Sequence, residues 1–219
     1  MDPVAEWAAA QARVIDLVES LDAAAVERRV PATPDWTVRD LLSHMIGLDA
    51  DILAGNEPDD HNPTWTQRQV DDRAGHDVAT LVAEWRAMTE PLQQWMRDNN
   101  PRPMGDVVIH EQDLRGALEA PGARDGDALR SLFERMAGAC EDRAVARELE
   151  PLRLQGENYD FGPPQADVVV RASDFDLARL VLSRRSAAQL RAWTTQGDVE
   201  PYVECFGGLG PLPADDLVE

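Results

Sequence analysis

Apolar residues in the opening segment fall at Val4, Trp7, Val14, Val18 and Leu21, with Gln11 taking the remaining step. Steps of three and four trace a helix seam, so a helix is predicted over residues 3–28, stopped by Pro31 and Pro34. A second helix is predicted from Thr37. Thr37 can cap it, and Asp40 three residues later completes a capping box with Asp in the usual Glu position. Its seam runs through Val38, Leu41, Met45, Leu48 and Ile52, and Gly55 and Pro58 end it. Residues 55–76 are polar and rich in Asp, Asn and Pro; they read as one long loop, either a lid over the preceding helix or a plain surface excursion. A third helix is expected from Asp77 to Asn99, with Val78, Leu81, Trp85, Met88, Leu92 and Trp95 in register and Pro91 expected to kink or break it. Two more follow, over 104–119 and from Asp127 to Glu148. Residues 1–148 therefore read as a helical bundle.

The pattern changes after Leu149. Leu152-Arg153-Leu154 and Val168-Val169-Val170 read as short strands, separated by a turn-rich stretch from Gly156 to Pro164. A helix is predicted near Asp174 and a shorter one from Ala187 to Thr194, before an irregular tail rich in Gly and Pro. Residues 149–219 thus form a small α+β domain behind a mainly α one.

Composition narrows the class. Hydrophobic residues make up 43% of 219, including six Trp, which is enough to build a core. The net charge is −20, from 41 acidic and 21 basic residues, every basic one an Arg. Such a chain repels phosphate backbones and anionic lipid, so nucleic acid and membranes are not expected partners. Two cysteines, Cys140 and Cys205, make no disulfide framework, and a cytoplasmic setting with buried thiols is the expectation. The first residues are acidic, unlike a signal peptide, and no apolar run approaches the roughly 20 residues that span a bilayer.

The candidate chemistry lies in the histidines. His61 and His76 fall in the long polar segment and read as solvated. His44 lies three residues after Leu41 and four before Leu48, beside an apolar seam; His110 sits likewise between Val107 and Leu114. Asp106 precedes His110 by four residues, on the same helix face. A carboxylate on an inward face is costly unless it is paired or binds a metal. Spacing alone leaves two readings open, a buried His–Asp hydrogen-bond pair or a divalent-metal site of two imidazoles and a carboxylate. Asp113, three residues after His110, could be a further ligand or an acceptor that orients an imidazole. Glu111 is expected to point to the surface.

The segments Val30-Pro31-Ala32-Thr33-Pro34-Asp35-Trp36-Thr37-Val38-Arg39-Asp40-Leu41-Leu42-Ser43-His44 and Asp106-Val107-Val108-Ile109-His110-Glu111-Gln112-Asp113-Leu114-Arg115 resemble the two signatures of the mycothiol-dependent maleylpyruvate isomerase family. That family lies within the DinB/YfiT-like metal-binding four-helix bundles. The resemblance covers residues 4–148 and implies an up-down four-helix bundle with metal ligands at His44, Asp106 and His110. The isomerase carries Glu where this chain has the shorter Asp106. The C-terminal part resembles the family's sterol-carrier-like α+β domain, with Ser183 in the place of a Gly before Arg184 and Arg185. These two arginines could bind an anionic substrate or serve the structure. The resemblance further implies a divalent ion, zinc above all, and mycothiol as cosubstrate. An isomerase or thiol transferase acting on a small electrophile, as monomer or homodimer, is then expected; a metal- or ligand-binding protein and a metal hydrolase are the rival readings.

Overall fold

A computed structural model of the chain describes residues 1–58, 60 and 62–219. His61 therefore lies outside the described residues. The described residues are mainly helical, with two small sheets. Their contacts divide the chain into one unit of residues 1–122 with Glu219 and a second of residues 123–218.

In the first unit α1 (Pro3–Glu19) is followed by the short α2 (Ala23–Val26), where one helix to residue 28 was expected. The break is a capping event: the Asp22 carboxylate accepts from the Ala25 N–H at 2.8 Å and starts a new turn. Strands β1 (Arg29–Val30) and β2 (Thr33–Thr37) pair antiparallel across Pro31, and α3 (Val38–Ala54) begins directly afterwards. The capping box is present, Thr37 Oγ1 accepting from Asp40 N at 3.2 Å and Asp40 Oδ2 from Thr37 N at 2.9 Å. Gly55 closes α3 in the left-handed conformation, φ 71°.

The segment expected to be a long loop contains α4 (Pro63–Asp71), capped by Asn62 and started by Pro63. It buries Trp65, Gln69 and Val70 against α3. Next come α5 (Val78–Asp98) and α6 (Pro103–Leu118). The helix α5 runs through Pro91 without a break, and both Pro91 and Ala87, whose carbonyl loses its partner, face solvent. Helices α1, α5, α3 and α6 close a ring in that order, each packed on the next and α6 on α1. That is the expected four-helix bundle. Trp7 and Trp85 are fully buried in it, each worth roughly 5 kcal/mol of transfer free energy before ordering costs.

The second unit starts with α7 (Asp127–Val145), which packs on elements of that unit, so contacts place the division at residue 122 and not at the expected 148. Strands β3 (Arg153–Gln155), β4 (Asp160–Phe161), β5 (Val169–Arg171) and β6 (Thr194–Gln196) form a sheet in the order β4-β3-β5-β6. Strands β3 and β5 pair in parallel, and the outer pairs are antiparallel. Helices α8 (Asp174–Val181) and α9 (Ala187–Trp193) stand at their expected places, and a 3₁₀ helix covers Glu200–Phe206. The unexpected β4 and β6 are two and three residues long, too short to show alternation. No helix among the described residues is long and apolar enough to cross a membrane.

Candidate metal centre

The facing sides of α3 and α6 bring His44, Asp106 and His110 together. One donor atom from each lies within 4.8 Å of the other two. Asp106 Oδ1 stands 3.4 Å from His110 Nε2 and 3.8 Å from His44 Nε2. Ligands at about 2.0–2.2 Å from a tetrahedral ion are themselves about 3.4 Å apart, so these separations are of the right size. The shorter Asp side chain reaches the spot, closer to the histidine of its own helix than to His44. Both histidines are buried, while the Asp106 side chain keeps 23% exposure.

Each imidazole is held from behind. His110 Nδ1 lies 2.9 Å from Asp113 Oδ2, and His44 Nδ1 lies 2.8 Å from Gln69 Oε1. A proton on each Nδ1, donated to these oxygens, leaves Nε2 with its lone pair toward the other donors; outer partners of metal-binding histidines act in this way. Of the two roles open to Asp113, the geometry gives it the orienting one. The Trp36 ring lies over His44, centroids 4.9 Å apart, and its Nε1–H donates to Gln67 of α4 at 3.1 Å.

Other buried acids nearby are committed elsewhere. Glu111 is fully buried, contrary to the expected surface position. Arg13 of α1 grips it with two hydrogen bonds of 2.8 and 2.7 Å, and Arg115 adds one at 3.0 Å. Asp49 accepts from Trp85 Nε1 at 2.7 Å, and burial pushes its carboxyl well above the usual range. In the metal-free site burial works against charge on His110, but Asp106 and Asp113 outweigh it and raise its pKa to about 9. Burial likewise opposes ionisation of Asp106, yet the two histidines hold its pKa below the ordinary value. A proton on His110 thus occupies the place a cation would take.

The remaining sequence-level candidates lie apart from this arrangement. His76 is partly exposed, 4.0 Å from Glu84. Arg184 and Arg185 are buried in the second unit, where Arg184 Nη1 donates to Leu182 O and Arg185 pairs with Asp176. Sequence reasoning missed Gln69; Asn62-Pro63, a cap followed by proline at the first helical position, was the signal for the helix that carries it.

Residues 7–108 match the family model described as the mycothiol maleylpyruvate isomerase N-terminal domain. No curated protein matches the chain by sequence. Among solved structures, the chain is similar in fold to mycothiol-dependent maleylpyruvate isomerase, with a TM-score of 0.55 at 14% identity over 84% of this chain and 88% of the other. A histidine-to-alanine mutant of that isomerase gives a TM-score of 0.56 at 13% identity with the same coverage.

Proposed function

We propose that the chain is a divalent-metal-dependent enzyme of the maleylpyruvate isomerase kind, an isomerase or S-transferase that uses a low-molecular-weight thiol of the mycothiol type; the match of residues 7–108 to the N-terminal domain model of that family supports this reading. The observation that carries this reading is the convergence of His44 Nε2, Asp106 Oδ1 and His110 Nε2. Two imidazoles and one carboxylate, each imidazole braced through Nδ1, are a donor set for zinc or a neighbouring divalent ion.

Among the described residues three protein donors converge, which leaves coordination positions open, as in catalytic zinc sites and unlike the closed four-ligand structural ones. The neighbouring acids do not fill them: Asp113 is bonded to His110, Glu111 to two arginines and Asp49 to Trp85. This favours an enzyme over a purely structural metal protein. A bound divalent ion would lower the pKa of a thiol beside it and so supply a thiolate at neutral pH. His44 and His110 present their lone pairs, Asp113 and Gln69 fix their tautomers, and Asp106 contributes the negative charge that favours a cation. The helix α4 and Trp36 wall the His44 side from solvent. The acidic chain fits a cytoplasmic setting without nucleic-acid or membrane partners.

The test is metal content and turnover on the same preparations. Wild type is expected to carry about one zinc per chain after loading, with His44→Ala and His110→Ala carrying almost none. Isomerisation of maleylpyruvate, or thiol addition to a panel of small electrophiles, is expected only with mycothiol present. Equal metal in all three proteins, or turnover indifferent to thiol, would overturn the reading.

A further inference from the structure

Gln69 does more than fill space behind His44. His44, Gly47 and Asp51 follow one another on the same face of α3 at steps of three and four, and the Gln69 side chain lies along that face. Its Oε1 is 2.8 Å from His44 Nδ1 and its Nε2 donates to Asp51 Oδ2 at 2.8 Å. Gly47 leaves the space for it: a Cβ there would stand 2.4 Å from Gln69 Cβ and 2.8 Å from Gln69 Cγ. Arg73, bound to Glu84 of α5, donates to the Gln69 carbonyl at 3.2 Å and holds the backbone of α4 in place. Gln69 itself is 3% exposed.

We propose that Asp51, through Gln69, sets the tautomer of His44, making Gln69 and Asp51 positioning residues of the metal centre. An ionised carboxylate only accepts hydrogen bonds, whereas a side-chain amide has one accepting and one donating end. Asp51 therefore takes the amide's N–H₂ end, and the oxygen end is left facing His44. That oxygen can only accept, so His44 carries its proton on Nδ1 and keeps the Nε2 lone pair on the side of Asp106 and His110. The polarity of the contact at Asp51 is thereby passed along this face of α3 to His44. This inference rests on the metal reading above for its purpose, but not for its test.

The decisive measurement is the tautomer of His44 in metal-free protein labelled with ¹⁵N-histidine, read from long-range proton–nitrogen correlation spectra. Alongside it, zinc affinity is measured by competition with a chromophoric chelator. Wild type is expected to show a single His44 species protonated on Nδ1. Gln69→Leu is expected to give a mixture of tautomers and to weaken zinc about 10- to 100-fold, the usual effect of losing an outer partner. Gln69→Glu, which still accepts from Nδ1 but faces Asp51 with like charge, should keep the wild-type tautomer although the apposed carboxylates destabilise the fold more than Leu does. A merely structural role predicts the reverse order. Asp51→Asn frees the amide to turn and should fall between Leu and wild type, and Gly47→Ala should resemble Gln69→Leu. An unchanged tautomer in Gln69→Leu with zinc affinity within about twofold of wild type would overturn the proposal. If wild type binds no zinc while the tautomer pattern holds, the metal reading fails and this inference stands; if zinc binds and the tautomer ignores Gln69, the reverse is true.

Discussion

Two of the places where the described residues bury charged groups behave differently. In the C-terminal unit Arg179, Ser183, Arg184, Arg185 and Ser186 are all buried around the end of α8. Arg185 binds Asp176 at 3.0 Å and the Arg184 carbonyl at 2.7 Å, and Ser183 Oγ donates to Phe206 O while accepting from Leu209 N. Here donors meet acceptors, and the cluster ties loops to a helix. Between α3 and α6, by contrast, two ring nitrogens and a carboxylate oxygen turn toward one another, and three acceptors in one place call for a positive charge. Burial of charge is common to both regions; only the match of donors to acceptors separates a structural cluster from a binding one.

Breaking the pairs should expose this contrast. The largest effect is expected from Asp176→Ala, which removes the 3.0 Å ion pair with the buried Arg185 and should cost the C-terminal unit about 3 kcal/mol, read by denaturant melts, with zinc content unchanged. Next, Asp113→Ala should weaken zinc roughly 10- to 100-fold, or about 1.4–2.7 kcal/mol, by releasing the His110 ring, measured by chelator competition.

The pH response should separate the regions further. The folded pKa of His110, about 9, lies above its ordinary 6.5. Its contribution to metal-free stability is thus complete below about pH 6.5 and is lost as pH rises through about 9. Zinc must displace that proton, so its affinity should grow about tenfold per pH unit up to about pH 9. Calorimetry in buffers of different ionisation heat should show the proton leaving, and a flat affinity between pH 7 and 9 would deny it. The smallest effect is expected from Ser183→Gly. Ser183 holds φ at 59°, a left-handed conformation that glycine adopts without strain. Relief of about 1 kcal/mol is offset by losing the two hydrogen bonds of its hydroxyl, so the thermal midpoint should move by no more than a few degrees.

Much of this was legible in the chain. The capping box at Thr37 and Asp40, the seams of the bundle helices and the i, i+4 pair Asp106–His110 are local patterns, and local patterns survive folding. The resemblance then joined His44 to that pair across 61 intervening residues. What stayed hidden was set by distance. Glu111 reads as a surface acid because its partner Arg13 lies 98 residues earlier. Residues 63–71 read as loop because their composition is polar, and only packing on α3 shows which of them face inward. The position after Leu182 illustrates a third case: Ser183 stands where the resemblance implies a glycine, and its φ of 59° is a conformation that glycine favours. The fifth helix looked like a bundle member because an amphipathic stripe does not say which partner covers it.

The indole over His44 has one more consequence. Trp36 sits at ring-stacking range from an imidazole whose electronic state changes when it gains a proton or a cation. An electron-poor imidazole draws charge from an excited indole, so the emission of this one tryptophan should dim as the centre fills. With zinc bound as proposed, Trp36 would serve as an optical gauge of the centre, and Trp36→Phe would give the blank against which to read it.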